Sequence, residues 1–530
     1  MKAKNWLIGW LLFVIVGLGI IGLTVYRVDP YFHYHEPDLE NYFYKLDNQR
    51  SQNDGISKHF DYDAIITGTS MTENFKTSEM NEIFGVNSIK VAFSGGSYKE
   101  IDDNLAVSLE NNPEIKLIVR CLDYAKIFDD KDLMREDLGG YPTYLYDKNP
   151  LNDVKYIFNK DVIFGRIYEM SKAREQEGFA PGITSFDSYS RWQDSYTFGI
   201  NTVIPDRFQA CDKGEISHLT EDEKQTIREN IEQNVTSLAD EYPDVKFYYF
   251  FSPYSVAWWK DRVDDGTINK WIEAETYIIE TVLEHDNIYL YSFNNCTDIT
   301  TNLNHYKDPR HYGEWVNSAM LQWMYKGKYL LTQENYQDYL NTELDFYSNF
   351  DYMSINDQED YECDYYAAAL LNAQLSGLDP ISLLEDPAVT INLSNAQIVE
   401  GQYNGLQGIQ CVGSLQRELG SEISVSDYIL NGGYVGAKIN IPDVGEHRYL
   451  VFYGRKIADN GQPSVFIYNE NNDKVGELSL SYLDIDYEWH RYVLDLSKME
   501  GAVSIVFNGG YIDKTGSAES SYVFSDIKLY

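Results

Sequence analysis

Hydrophobic and polar positions divide the chain into stretches of different character. The first apolar run, Trp6 to Tyr26, carries no charge and is about 20 residues long, enough to cross a bilayer. Lys2 and Lys4 precede it, which predicts a cytoplasmic N-terminus and an exported remainder. A cleaved signal would have a shorter apolar core and a small-x-small site, and neither stands before Val25-Tyr26-Arg27. Residues 1–26 therefore read as a transmembrane anchor, and the aromatic and polar residues 27–60 as a stalk. From 61 to 335, short apolar runs alternate with helical stretches. Ala64–Thr67, Ser88–Phe93, Leu117–Leu122, Lys246–Phe251 and Ile288–Tyr291 read as strands, and Tyr98–Glu110 and Ile268–His285 as helices. This alternation predicts an α/β fold of three layers, a parallel sheet with helices on both faces.

Residues 127–241, between the third and fourth strands, are rich in Tyr, Asp and Phe and read as an insertion over the strand ends. A lid or acceptor-binding surface and a structural elaboration are both open readings of it. Residues 336–390 read as a helical, acidic connector. From 391 to 530 the period shortens to that of strands. Tyr434–Ile441, Arg448–Tyr453, Ser464–Tyr468, Arg491–Leu496, Ala502–Phe507 and Tyr522–Tyr530 alternate between apolar and polar. Turns such as Asn431-Gly432-Gly433, Asn460-Gly461 and Asn508-Gly509-Gly510 separate them. This part is expected to be an all-β sandwich, a jelly roll.

Charge narrows the function. A formal net charge of −40 excludes nucleic acid as a partner, because phosphates need Lys and Arg, and disfavours docking on anionic lipid. Solubility is the plainest reading of so many acids. The five cysteines, Cys121, Cys211, Cys296, Cys363 and Cys411, are scattered and form no Cys-x-x-Cys pair, so neither zinc nor a disulfide framework is predicted. Cys121 lies in an apolar strand and reads as a core thiol. His33 and His35 resemble half of a metal site but have no partner in the pattern, and read as exposed stalk residues. No metal and no cofactor is expected. The 45 tyrosines suit a protein that handles polar polymers.

In an open parallel sheet, functional loops sit at the carboxyl ends of the strands. Ser70 follows the first strand on the turn Thr67-Gly68-Thr69-Ser70, with Met71 to Phe84 expected to begin with a helix. Ser94-Gly95-Gly96-Ser97 follows the second strand, Asp123 the third and Ser252-Pro253-Tyr254 the fourth. Asp308-Pro309-Arg310-His311 follows the fifth. A serine on a strained strand-to-helix elbow, a histidine base and an aspartate orienting it are the parts of an activated hydroxyl nucleophile. Ser70, His311 and Asp308 are the catalytic candidates. The backbone N–H groups of Ser70 and Gly95 are the candidate oxyanion donors. Gly96, Asp123 and Tyr254 are candidate substrate contacts. Simpler roles compete: an N-cap for Ser70, a helix cap for His311, turns for Asp308, Gly95 and Gly96, and core packing for Trp258-Trp259.

This set resembles the SGNH hydrolase superfamily over about Tyr62 to Lys328. Gly68-Thr69-Ser70 stands where that family often has Gly-Asp-Ser, Gly95 matches its second-block glycine, and Asp308-x-x-His311 its last block. The third block departs from the family, because Leu122-Asp123-Tyr124 has no Asn to donate to an oxyanion. With the N-terminal anchor, the chain looks most like the branch holding the D-alanine transfer protein and alginate O-acetyltransferase-like proteins. There, a membrane-bound O-acyltransferase hands an acyl group to an anchored partner, which delivers it to a polymer. The resemblance implies an O-acyltransferase, its acyl group acetyl, that modifies an extracellular polysaccharide through a serine acyl-enzyme. Two alternatives stay open: an esterase or deacetylase with the same triad, and a non-catalytic glycan-binding surface protein. The latter would use a carbohydrate-binding-like sandwich on which Tyr482, Tyr487 and Trp489 stack on sugar rings.

Overall fold

The structure, a computed structural model, describes residues 3–135, 141–358, 380–394, 396–414, 435–441, 447, 449–457, 463–480, 489–496, 499, 501–509 and 519–530. The chain divides into two compact units, Met1–Glu362 and Cys363–Tyr530.

The first unit begins with the helix Ala3–Val28, which is long and apolar enough to cross a membrane; its side chains, from Trp6 to Tyr26, are largely exposed. The centre of the unit is a five-stranded, all-parallel sheet. Its spatial order is Ser88–Ala92, Ala64–Gly68, Leu117–Cys121, Lys246–Phe251 and Ile288–Ser292. The first three strands in sequence are buried at every residue. Successive side chains on a strand point to opposite faces, so both faces of the sheet are covered. Helices Gln49–His59 and Tyr98–Asn111 pack on each other, as do Thr77–Phe84 and Glu314–Tyr325. The strand order reverses between the first and third strands, and the crevice at such a reversal is where open α/β sheets take their ligands.

Two segments differ from the sequence-based reading. Residues 27–60 are not a stalk. Helix Gln49–His59 buries Gln52 to Ser57, and Phe43–Tyr44 pairs in parallel with Gly182–Ile183. His33 is accordingly half-buried, with Nε2 3.3 Å from Asp153, and His35 contacts the carbonyls of Glu36 and Tyr26. Residues 336–349 are likewise not a connector. Helix Tyr336–Asn349 buries Glu343 and Tyr347, and Tyr347 stacks on Trp259 with centroids 4.5 Å apart. Trp258 and Trp259 are core residues.

The second unit holds two antiparallel sheets. One runs Lys474–Ser479, Ser464–Asn469, Ala502–Asn508, Gly436–Asn440 and Thr390–Ser394. The other runs Ala396–Val399, Gly408–Ser414, Glu519–Leu529, Tyr449–Lys456 and His490–Asp495, with Ile381–Ser382 also on Glu519–Leu529. Phe452 and Phe524 of one sheet meet Phe507 of the other in a shared apolar core. Trp489 packs edge-on to Tyr403 and lies under Arg455, as hairpin packing would place it. Tyr482, Tyr487 and the turns at Asn431-Gly432-Gly433 and Asn460-Gly461 lie outside the described residues.

Candidate active site

The first strand ends at Gly68, whose φ of +145° and close neighbours both require glycine. A Cβ there would stand 2.7 Å from Thr72 and 3.0 Å from Cys121. Gly68 thus makes the sharp exit expected of an elbow, and Ser70 keeps negative φ. Ser70 opens a single 3₁₀ turn, Ser70–Thr72, capped by the Thr69 side chain; the helix expected from Met71 begins only at Thr77. The turn leaves Ser70 half-buried on the wall of a cavity of about 1000 Å³, lined also by Gly95, Asp123, Tyr254, Arg310 and His311.

Ser70 Oγ lies 2.9 Å from His311 Nε2. The other ring nitrogen, Nδ1, lies 2.8 Å and 3.0 Å from the two oxygens of Asp308. Asp308 Oδ1 also accepts the backbone N–H groups of Arg310 and His311, each at 2.9 Å, and Lys307 Nζ lies 3.0 Å from Oδ2. Burial opposes ionisation of Asp308. The His311 hydrogen bond and charge, with the two backbone donors, nevertheless hold its carboxyl well below the usual carboxylate range. An ionised Asp308 fixes the ring with Nδ1–H toward itself and Nε2 free to accept the Ser70 proton.

The loop after the second strand is held from three sides. Gln49 accepts the Ser94 N–H at 2.7 Å, and Ser94 O accepts from Arg50 at 3.2 Å and from Arg135 at 2.6 Å. Gly95 has φ +59°, and a Cβ on it would fall 2.1 Å from Arg135 Nη1, so glycine makes room for the guanidinium. The N–H groups of Ser70 and Gly95 have no hydrogen-bond acceptor among the described residues. Gly96 instead packs against Phe93, and its N–H donates to Phe93 O at 2.7 Å, which makes it a turn residue.

Asp123 and Tyr254 line the cavity and are also bonded to each other. Both are buried, and Thr69 and Tyr254 each donate to an Asp123 oxygen at 2.5 Å. The Ala125 N–H adds a third hydrogen bond at 3.0 Å. Burial and the Asp123 carboxylate push the Tyr254 phenol up, so it stays a donor. Asp123 therefore ties the third strand's exit to the residue before Ser70.

The sequence reading missed Arg135 and Trp192. Trp192 Nε1 donates to Ser70 O at 3.2 Å, and its ring stands edge-on to His311 with centroids 5.8 Å apart. Both residues come from the insertion, which had no periodicity to mark them. Among the described residues, no group of three or more His, Cys, Asp or Glu side chains is placed to hold a metal ion.

No protein-family model and no curated protein matches the chain. Solved structures resemble it at low identity. A Streptococcus pneumonia protein provisionally assigned as a platelet activating factor is similar over 55% of this chain and 91% of its own, with 12% identity and a TM-score of 0.26. The K1 cleaved adhesin domain of Lys-gingipain from Porphyromonas gingivalis W83 is similar over 28% of this chain and 96% of its own, with 12% identity and a TM-score of 0.19. The family 11 carbohydrate-binding module of the Clostridium thermocellum cellulase Lic26A-Cel5E is similar over 28% and 85%, with 15% identity and a TM-score of 0.16.

Proposed function

We propose that the chain is a serine-dependent O-acyltransferase, of SGNH type, that acetylates an extracellular polysaccharide from a membrane-anchored position. The relay from Ser70 Oγ through His311 to Asp308 carries this reading. In the first step Ser70 Oγ attacks the donor carbonyl as its proton passes to His311 Nε2. The N–H groups of Ser70 and Gly95 stabilise the tetrahedral oxyanion. Collapse breaks the bond to the leaving group, which takes the proton from His311, and the acyl group remains on Ser70. In the second step His311 accepts the proton of a sugar hydroxyl, whose oxygen attacks the acyl-serine; the acyl–Oγ bond breaks, His311 returns the proton to Ser70 Oγ, and the acetylated polymer departs. Water in place of the sugar gives the esterase. The two differ only in the acceptor, so both share the first half-reaction.

The anchor reading rests on helix Ala3–Val28, and would place the site outside the membrane within reach of a membrane-bound O-acyltransferase as donor. The second unit, read as a jelly roll, would bind the polymer. The test supplies full-length protein with an activated acetyl ester and, separately, a cell-surface glycan as acceptor. Ser70-dependent appearance of O-acetyl sugar supports transfer. Release of acetate alone, unaffected by glycan, replaces it with the esterase. Glycan binding without Ser70-dependent chemistry replaces both with a binding protein.

A further inference from the structure

Away from the reaction cavity, five large apolar side chains stand exposed within one short stretch of the insertion. Leu151 is 82% exposed, Phe164 67%, Tyr168 57%, Val154 53% and Phe158 44%. Elsewhere beyond helix Ala3–Val28, such side chains are spread thinly along the described residues. The helical segments within this stretch, Val154–Ile157 and Asp161–Tyr168, pack on helix Ala3–Val28. The contact has a definite height. A Cβ on Gly22 would stand 3.6 Å from Ile157 Cγ2, and Val25 and Val28 are buried, whereas the turns before Gly22 are largely exposed.

The apolar run of that helix ends at Tyr26, four residues beyond Gly22. At a rise of about 1.5 Å per residue, Ile157 lies ~6 Å inside the end of the run. A helix that crosses a bilayer with Trp6–Tyr26 carries its packed neighbours to that depth. Interfacial apolar faces sit about 5–10 Å into the boundary between headgroups and acyl chains. Charge fits the same place. Residues 151–174 carry five Lys and Arg against three Asp and Glu, a local exception in a chain of net charge −40. Lys155, Lys160, Lys172 and Arg174 are exposed, and cations beside such a face attract anionic headgroups. We propose that Leu151, Val154, Phe158, Phe164 and Tyr168 insert into the outer face of the bilayer that helix Ala3–Val28 crosses. The proposal rests on the anchor reading of that helix. Five interfacial side chains alone bind reversibly, and the helix holds them in place. The same insertion supplies Arg135 to the wall of the Ser70 cavity, so it joins the lipid surface to the reaction site.

The test uses full-length protein in which Cys211, the exposed thiol, and Cys363 are replaced by Ser. An environment-sensitive fluorophore is placed singly on Leu151→Cys, Phe164→Cys or, at the centre of the apolar run, Val16→Cys. Each protein is reconstituted into vesicles of equal parts phosphatidylcholine and phosphatidylglycerol, with lipids that carry a nitroxide at the headgroup or deep in the acyl chain. The labels at 151 and 164 are expected to lose more emission to the headgroup nitroxide, and the label at 16 to the deep one. Quenching at 16 but at neither 151 nor 164 would overturn the proposal and leave the anchor standing. If the labels at 151 and 164 were then also shielded from aqueous iodide, the face would belong to a protein partner or a second copy. No quenching at 16 would overturn the anchor reading, and the proposal with it.

Discussion

At Ser70 the hydroxyl proton faces Nε2 of His311, and Asp308 holds that ring in place. Ser70→Ala and His311→Ala are each expected to lower acyl-serine formation by about 10⁴-fold or more, measured with an activated ester under single turnover. Trp192→Phe keeps an aromatic ring beside His311 but loses the donor to Ser70 O. A loss of about 1 kcal/mol, roughly fivefold in rate, is expected, with the Tm nearly unchanged. The Asp308 carboxyl is depressed by folding, so its stabilisation is present above the unfolded carboxylate range near ~3.9 and is lost as pH falls below it. The Tm gap between wild type and Asp308→Asn should therefore hold from pH 8 to 5 and shrink below about 4. Ser70, Asp308 and His311 were legible as residues that follow strands, because strand ends converge on one edge of the sheet. The hydrogen bonds of Asp123 were not legible, because its partners, Thr69 and Tyr254, come from other strand ends.

Among the elements, the five strands were legible because strands covered on both faces read as mainly apolar runs, although Lys90 and Arg120 interrupt two of them. Ile118 on the third strand is 0% exposed, and Ile118→Ala is expected to cost about 2–5 kcal/mol in denaturant unfolding. Helix Gln49–His59 was not legible, and its chemistry explains why. Its buried face carries Gln52, Asn53, Asp54 and Ser57, which composition alone reads as exposed. Asn53 donates to Ala92 O and accepts from Tyr189, each at 2.7 Å, so its amide acts as a core connector. Asn53→Leu would strand both partners and is expected to cost about 1–3 kcal/mol for each, despite being apolar. Helix Tyr336–Asn349 was legible as a helix, but the acidic residues along it hid its packing, in which Glu343 and Tyr347 face the core.

At the scale of the whole molecule, the change from helical to strand periodicity was legible, and the structure divides the chain between Glu362 and Cys363. Every group of the Ser70 relay and its cavity lies in the first unit. Removing residues 391–530 is therefore expected to leave acylation of Ser70 by a small activated ester within about twofold of wild type, while acetylation of polymer falls. The placement of the N-terminal helix in a membrane is checked by extraction: full-length protein should need detergent, and a chain starting after Val28 should not. The most direct test of the account is the intact mass of the protein after exposure to an activated acetyl ester. One acetyl adduct on wild type, absent from Ser70→Ala and mapped to Ser70, is the predicted result. An adduct of equal yield in Ser70→Ala, or none on a wild type that binds glycan, would contradict a serine acyl-enzyme.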